Sequence, residues 1–339
     1  MSKRAIFGKK NILVTGGAGF IGSHLCDELI KTCKVICIDN FSTGDERNID
    51  HLLMNENFEF IRHNIVEPII LEDLPELQKF KIQFQGIQEI YHLACPMSPK
   101  NFEQNKIATL LANSYGMKNA LDLAIKHQAK FMHFSSSVVY GPRRESKNGA
   151  IQIKEEDIGK VNILSARACY DEGKRFAETM VKDFGDVYNI DTKIIRVFRT
   201  YGPRMRLNDD QMIPDFINNA LDNKNLVVLG NESFTSSLCY VNDCIDAAIK
   251  MMDTDLPGPL NIGSDVEINL TDLAQQIIKA LKSKSNIVYD EEKLFMTPLC
   301  LPDITQAKNK LAWMPVVTLK QGLEKTIDDL RANKGLKGI

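Results

Sequence analysis

The chain has no dominant charge. Its 42 Lys and Arg against 44 Asp and Glu leave a formal net charge of −2. That removes the electrostatic case for a nucleic-acid partner or an anionic membrane surface. Long apolar runs are also missing, and those present are far too short to span a bilayer. Eight cysteines stand at 26, 33, 37, 95, 169, 239, 244 and 300, and no two make a CxxC pair. The six histidines (24, 51, 63, 92, 127 and 133) show no ligand spacing with each other or with cysteine, so no metal site is expected. Most of the cysteines lie in apolar segments, which reads as buried free thiols in a reducing cytoplasm. The opening MSKRAIFGKK is basic and leads straight into the first strand candidate. It lacks the apolar core of a signal peptide, so a cytoplasmic location is expected. Internal repeats and low-complexity segments are lacking too. What is present is ordinary: 339 residues, 44% hydrophobic and 25% charged, enough for one large α/β domain or two lobes.

Against that plain background one stretch stands out. Residues 11–23 read NILVTGGAGFIGS, and the next apolar run, KVICID, ends at Asp39. Asn11–Thr15 is a short buried strand, Gly16, Gly17, Gly19 and Gly22 make a tight turn, and Phe20–Cys33 carries apolar residues at helical spacing. Glycine is needed where a pyrophosphate must approach backbone N–H groups at a helix N-terminus. Asp39 lies 20 positions after Gly19, where an acid can accept hydrogen bonds from a ribose diol. Ser23 follows Gly22, so the lysine of a phosphate-binding P-loop is absent. Asp39 would repel a 2′-phosphate, and no arginine follows it directly. The expected cofactor is therefore NAD rather than NADP.

Strand-like runs at 11–15, 34–38, 58–61, 88–93, 130–135 and 193–198 alternate with helical ones. This predicts an α/β fold, a Rossmann-type doubly wound parallel sheet. Residues 71–87 are more polar than a simple crossover requires and read as a surface helix and loop. After residue 200 the pattern changes to short strands (226–229, 236–241, 259–262, 286–289) among helices (209–222, 242–253, 270–282, 303–311, 318–333). The division expected is an NAD-binding domain over 1–200 and a smaller α/β substrate lobe over 201–339, with chain interleaving between them. The active cleft should lie between the two, at the carboxyl ends of the strands.

The reactive groups come next. Residues 168–178 read ACYDEGKRFAE, so Tyr170 and Lys174 share one helix face. A phenol is a poor base at neutral pH, and a nearby ammonium is expected to lower its pKa. Lys174 would also reach the nicotinamide ribose. Upstream, Ser136 lies at the end of the fifth strand in HFSSSVVYG, placed to hold a hydroxyl and pass its proton to Tyr170.

TGGAGFIGS at 15–23, DNFSTG at 39–44, HLA at 92–94, SSSVVYG at 135–141, YDEGK at 170–174 and YGPR at 201–204 together resemble the extended short-chain dehydrogenase/reductase family, the NAD-dependent epimerases and dehydratases. Within it, RACYDEGKR at 167–175, GPRM at 202–205, NFEF at 57–60, VEP at 66–68 and PDI at 302–304 are most similar to the UDP-glucuronate decarboxylases. The resemblance implies Ser136, Tyr170 and Lys174 as the catalytic set. It implies cofactor contacts at Gly16, Gly19, Phe20, Ile21 and Gly22, at Asp39, Asn40, Phe41, Ser42, Thr43 and Gly44, and at Asn64, Ile65, Leu93 and Ala94, besides Tyr170 and Lys174. It implies substrate contacts at Pro96, Ser137, Val138, Arg199 and Arg204, and a structural polar contact at Asn113. The chain also departs from the pattern. Relatives carry glutamate where Val138 stands, asparagine at Arg199, and arginines near Ser236 and Cys300 that grip a diphosphate.

The reaction implied opens with oxidation of a sugar hydroxyl to a transient 4-ketone, after which carbon dioxide leaves a hexuronate nucleotide. Alternatives are a nucleotide-sugar 4-epimerase, which Val138 suits because no proton need move at carbon, and a net sugar dehydrogenase or reductase. A further alternative is an NAD-bound relative without catalysis. A homodimer is expected through the helical stretches 103–127 and 168–188.

Overall fold

Seven parallel strands form the centre of the molecule: β1 (Asn11–Thr15), β2 (Lys34–Asp39), β3 (Phe58–Arg62), β4 (Glu89–His92), β5 (Lys130–Ser136), β6 (Thr192–Val197) and β7 (Leu260–Ile262). The computed structural model describes residues 8–146, 149–290 and 300–336. The basic opening segment 1–7 lies outside them. Sheet order is β7-β6-β5-β4-β1-β2-β3, so the order reverses between β1 and β4. In a doubly wound sheet that reversal opens a crevice at the carboxyl ends of the strands.

The strands read as near-continuous apolar runs because both faces are covered. Successive side chains on a strand face opposite ways. Ile12 and Val14 therefore join one core with Leu25, Met132 and Ile195, while Leu13 joins another with Ile36, Ile90 and Phe131. Helix α1 (Phe20–Leu29) lies on the first face. The second face carries α2 (Phe102–Leu111), α3 (Met117–His127) and α4 (Ala168–Tyr188). A single π turn, Ala112–Gly116, joins α2 to α3.

The C-terminal part supplies α5 (Met212–Leu221), α6 (Val241–Met252), α7 (Leu270–Leu281), α8 (Thr305–Leu311) and α9 (Leu319–Leu336). Its apolar residues Val241, Ile245, Trp313 and Leu330 belong to the same core as α1. Short strand pairs trim its edge, including Leu226–Leu229 with Ile287–Asp290.

Residues 260–262, past the expected boundary at 200, pair with β6 and complete the main sheet, a return of the chain of the interleaved kind. Asn261 fixes that placement: fully buried, it donates to the carbonyls of Ile153 (2.9 Å) and Asp303 (3.2 Å) and accepts from Tyr140 Oη (2.6 Å). Residues 71–87 are not a simple surface helix and loop. They form 3₁₀ turns at Leu71–Asp73 and Pro75–Phe80, then a short helix at Ile82–Gln85, with Leu71, Leu77, Phe80 and Ile82 buried in the second core. The apolar residues at 71, 74, 77 and 80 recur every third position, which is the period of a 3₁₀ helix.

Candidate active site

The glycine turn is built by exclusion. Gly16 has φ +75°, and a Cβ there would lie 2.8 Å from the backbone nitrogen of Ala94. A Cβ on Gly22 would lie 2.2 Å from the carbonyl oxygen of Gly16. Only glycine lets α1 start this close to the ends of β1 and β4. Gly19 is the N-cap of α1 and offers no capping side chain. The first-turn N–H groups, with no intrahelical acceptors, therefore face the crevice. Such an end suits a phosphate.

Asp39, at the end of β2, is 9% exposed. Its Oδ2 accepts from Ala18 N (3.0 Å) and its Oδ1 from Phe41 N (2.8 Å). The carboxylate thus holds the glycine turn and the following loop together while lining the crevice. Burial raises its pKa, and these backbone donors oppose the rise.

The opposite wall carries the reactive groups. The Ser136 hydroxyl accepts from Val138 N (3.4 Å) and lies close enough to the Tyr170 phenol to act on its pKa. Lys174 Nζ donates to the carbonyl oxygen of Phe134 (2.7 Å) on the strand that ends at Ser136. Helix α4 is seated by Gly173: a Cβ there would lie 3.1 Å from Asn113 Nδ2. Asn113 sits in the π turn and donates to Thr109 O (2.9 Å) and Cys95 Sγ (3.2 Å). On balance the phenol pKa is raised, because burial outweighs the groups that would lower it. Burial pushes the Tyr170 phenol up, the Cys95 thiol adds to the rise, and the Ser136 hydroxyl and Arg167 oppose it. Burial also pushes the Lys174 ammonium down, opposed by Cys95 and Glu178.

Both walls border one cavity of about 520 Å³. Gly16, Gly19, Phe20, Ile21, Gly22 and Asp39 line it, as do Asn40, Ser42, Thr43, Gly44, Asn64 and Ile65. Leu93, Ala94, Pro96, Ser136, Ser137, Val138, Tyr170, Lys174, Arg199 and Arg204 complete the residues that the sequence singled out. Phe41 does not line it. With φ +59° its ring turns away onto Phe60, 5.0 Å between centroids, beneath the Arg62 guanidinium.

Ser236 and Cys300 are corrected as well. Neither lines the cavity. Ser236 is buried in the strand pair Thr235–Ser237 and Glu267–Asn269. Cys300 packs among Val139, Tyr140, Ile153 and Phe198. Arg204 borders the cavity, but its guanidinium pairs with Asp27 of α1 at 2.7 Å and its N–H donates to Asp329 at 2.8 Å.

Several features escaped the sequence reading. Arg167 lines the cavity and pairs with Asp171 at 3.2 Å; its only sequence signal was its place in RACYDEGKR. Behind Ser136, Glu178 accepts from Ser135 Oγ (2.6 Å) and twice from Arg196 (3.0 and 2.8 Å). His92 and His133 lie side by side on β4 and β5, 6.0 Å between ring centroids. Burial pushes His92 down to about 3 and His133 well below the usual range, so both are neutral. Among the described residues, no group of three or more metal-ligating side chains occurs and no helix is long and apolar enough to cross a membrane.

The profile of the NAD dependent epimerase/dehydratase family matches residues 12–263. The chain belongs to that family. UDP-glucuronic acid decarboxylase 1 of Arabidopsis thaliana is 38% identical over 94% of this chain and 69% of its own. The Danio rerio protein of the same name is 39% identical over 94% of this chain and 72% of its own. Among solved structures, UDP-glucuronic acid 4-epimerase from Bacillus cereus, in complex with UDP-glucuronic acid and NAD, superposes with a TM-score of 0.80. It is 28% identical, over 95% of this chain and 99% of that one. The glycine turn, the uncapped start of α1 and Asp39 fit the family's cofactor.

Proposed function

We propose that the protein is an NAD-dependent enzyme acting on a UDP-hexuronate through a 4-keto sugar, with loss of carbon dioxide as its outcome. The observation that carries this is the Ser136–Tyr170–Lys174 set facing the same cavity as the glycine turn and Asp39. When bound there, NAD supplies the hydride acceptor and donor. Gly16–Gly22 and Asp39 would hold it. Ser136 orients the sugar 4-hydroxyl. Tyr170, as phenolate, takes the hydroxyl proton, and the Lys174 charge favours that phenolate. A 4-ketone stands β to the C5 carboxylate, so the electron pair of the breaking C–C bond flows into the ketone as carbon dioxide leaves.

A second reading, 4-epimerisation with the carboxylate retained, is favoured by Val138. It is 5% exposed, borders the cavity and offers no proton. Incubation of the NAD-loaded protein with UDP-glucuronate tests both. Carbon dioxide with a UDP-pentose supports the first reading, and UDP-galacturonate supports the second. Absence of both products overturns the substrate assignment.

In this proposal residues 1–200 hold the cofactor and 201–339 shape the substrate side, with β7 returning to the main sheet. The eight cysteines, all free, fit a reducing cytoplasm. The partner is a second copy of the chain. Ile107 on α2, Tyr115 in the π turn, and Phe176 and Val187 on α4 are between 52% and 74% exposed, and paired helices would cover them. A monomer at micromolar concentration in sedimentation overturns that assembly.

A further inference from the structure

We propose that Arg199, supported by Arg167, is the carboxylate-recognising element of this site and selects sugars that bear an acid group beside the carbon to be oxidised. The inference rests on the nucleotide-sugar reading above and adds to it a residue and a ligand group.

Arg199 follows β6 and borders the cavity. Among the described residues it makes no ion pair. Among the described residues the one polar contact of its guanidinium is Nη1 to the sulfur of Met212 at 3.8 Å, a weak acceptor. Half-buried in the cavity wall, a guanidinium without a counter-ion is costly. Burial and the Arg167 charge push its pKa down to about 10. Arg167 is already paired with Asp171 at 3.2 Å, so the charge left without a counter-ion is that of Arg199, and an anion placed against it, within reach of the Arg167 field, removes that cost. Ser137 adds a second sign of a polar ligand. It is 1% exposed, borders the same cavity, and among the described residues its Oγ has no hydrogen-bond partner.

Position decides which anion. Val197 is the register partner of Ser136, so Arg199 lies two residues beyond the strand position beside that hydroxyl. Arg167 acts electrostatically on both Arg199 and the Tyr170 phenol. The cationic pair therefore sits at the reacting end of the cavity. In a hexuronate the carboxylate hangs from C5, next to the C4 that meets Tyr170. The diphosphate hangs from C1, across the ring. The other cavity arginines are placed elsewhere: Arg204 is bound to Asp27, and Arg206 Nη1 reaches the carbonyl of Thr43 at 3.4 Å.

The test uses the NAD-loaded Tyr170→Phe protein, which stops turnover, and the same protein carrying Arg199→Gln. UDP-glucuronate, UDP-glucose and UDP are titrated into each by calorimetry. The expected result is a loss of roughly 10- to 100-fold for UDP-glucuronate, the range for one charge-assisted anchor. UDP-glucose and UDP should change little. Arg199→Lys, tested alongside, keeps the charge but not the planar fork and should keep part of the preference. Equal losses for all three ligands would assign Arg199 to the diphosphate and overturn the proposal. So would a starting protein that binds UDP-glucuronate no better than UDP-glucose, although the nucleotide-sugar reading would then stand. Failure of the starting protein to bind any of the three would overturn that reading and the clamp with it. If Arg199→Gln does not fold, judged by its melting temperature, the Arg199→Lys preference decides.

Discussion

The Lys174 ammonium donates to the carbonyl oxygen of Phe134 across 2.7 Å, one strand position from the Ser135–Ser136 pair. This bond ties the helix that bears Tyr170 to the strand that bears Ser136, and it places the ammonium beneath the phenol wall. Burial acts on the two groups in opposite directions, raising the phenol and lowering the ammonium. A raised phenol is protonated at neutral pH and must lose its proton to act as a base. The rate should therefore climb with pH, until Lys174 itself deprotonates. Lys174→Met should move the rising limb to higher pH and cut kcat/KM by about 10²- to 10⁴-fold, the scale of a lost acid–base element. Profiles of kcat/KM from neutral to alkaline pH check this. Superimposable limbs in the two proteins would show that the lysine does not tune the phenol.

Asp39 has two duties, and one substitution separates them from simple charge repulsion. Its two oxygens accept from Ala18 N and Phe41 N. An asparagine would offer one acceptor and turn its NH₂ toward the other donor. Asp39→Asn should cost about 1–3 kcal/mol of stability, the penalty for an unsatisfied buried donor. It should also erase the preference for NAD over NADP, since the acid is what repels a 2′-phosphate. Denaturant unfolding and paired cofactor titrations read the two effects. An unchanged cofactor ratio would move the ribose contact to another residue.

The sheet and most of the residues that line the cavity were legible because their signals are local. Strands buried on both faces write themselves as apolar runs, and the glycines, Asp39, Tyr170 and Lys174 fall at fixed spacings along the chain. The features that were missed depend on backbone geometry or distant pairing. Phe41 lies in the expected loop, yet its left-handed backbone turns the ring away from the cavity. Ser236 and Cys300 lie near positions where the family resemblance led one to expect arginines, but strand pairing and a small apolar cluster absorb them. Asn113 falls in a π turn that the helical pattern of α2 and α3 hides. Glu178 and Arg196 are ordinary surface-type residues in sequence and meet only because α4 packs over β5 and β6.

That last pair carries a stability prediction. The side chains of Arg196 and Glu178 are 12% and 13% exposed and joined by two hydrogen bonds, with Ser135 donating to the same carboxylate. Glu178→Gln keeps the shape and removes the charge, leaving the guanidinium without its counter-ion. Breaking a buried pair from one side costs about 3–5 kcal/mol. Denaturant unfolding should show a loss on that scale. A change below about 0.5 kcal/mol, the size of an ordinary surface substitution, would mean that Tyr140 and the Glu155 carbonyl, which also accept from Arg196, suffice to hold it.

Val138 tests how the reaction ends. It lies in the 3₁₀ turn Ser137–Tyr140, directly after Ser136, and borders the cavity at the reacting end. Once carbon dioxide has left, C5 of the sugar carries the electron pair and needs a proton before the ketone is reduced. Valine has none to give, so the proton must come from solvent or a hydroxyl. That step should limit turnover, and the 4-keto pentose nucleotide should accumulate or escape. Val138→Glu places a proton donor next to Ser136. It should raise the yield of the fully reduced UDP-pentose by roughly tenfold, below the 10²- to 10⁴-fold of a fully aligned general acid because the surrounding packing was shaped for valine. Product analysis by NMR in deuterated water follows both the yield and the label at C5. A variant that folds, binds NAD and gives no more pentose than the parent would place the proton source elsewhere. Retention of the carboxylate in both proteins would instead favour the epimerase reading, in which position 138 has no proton to move.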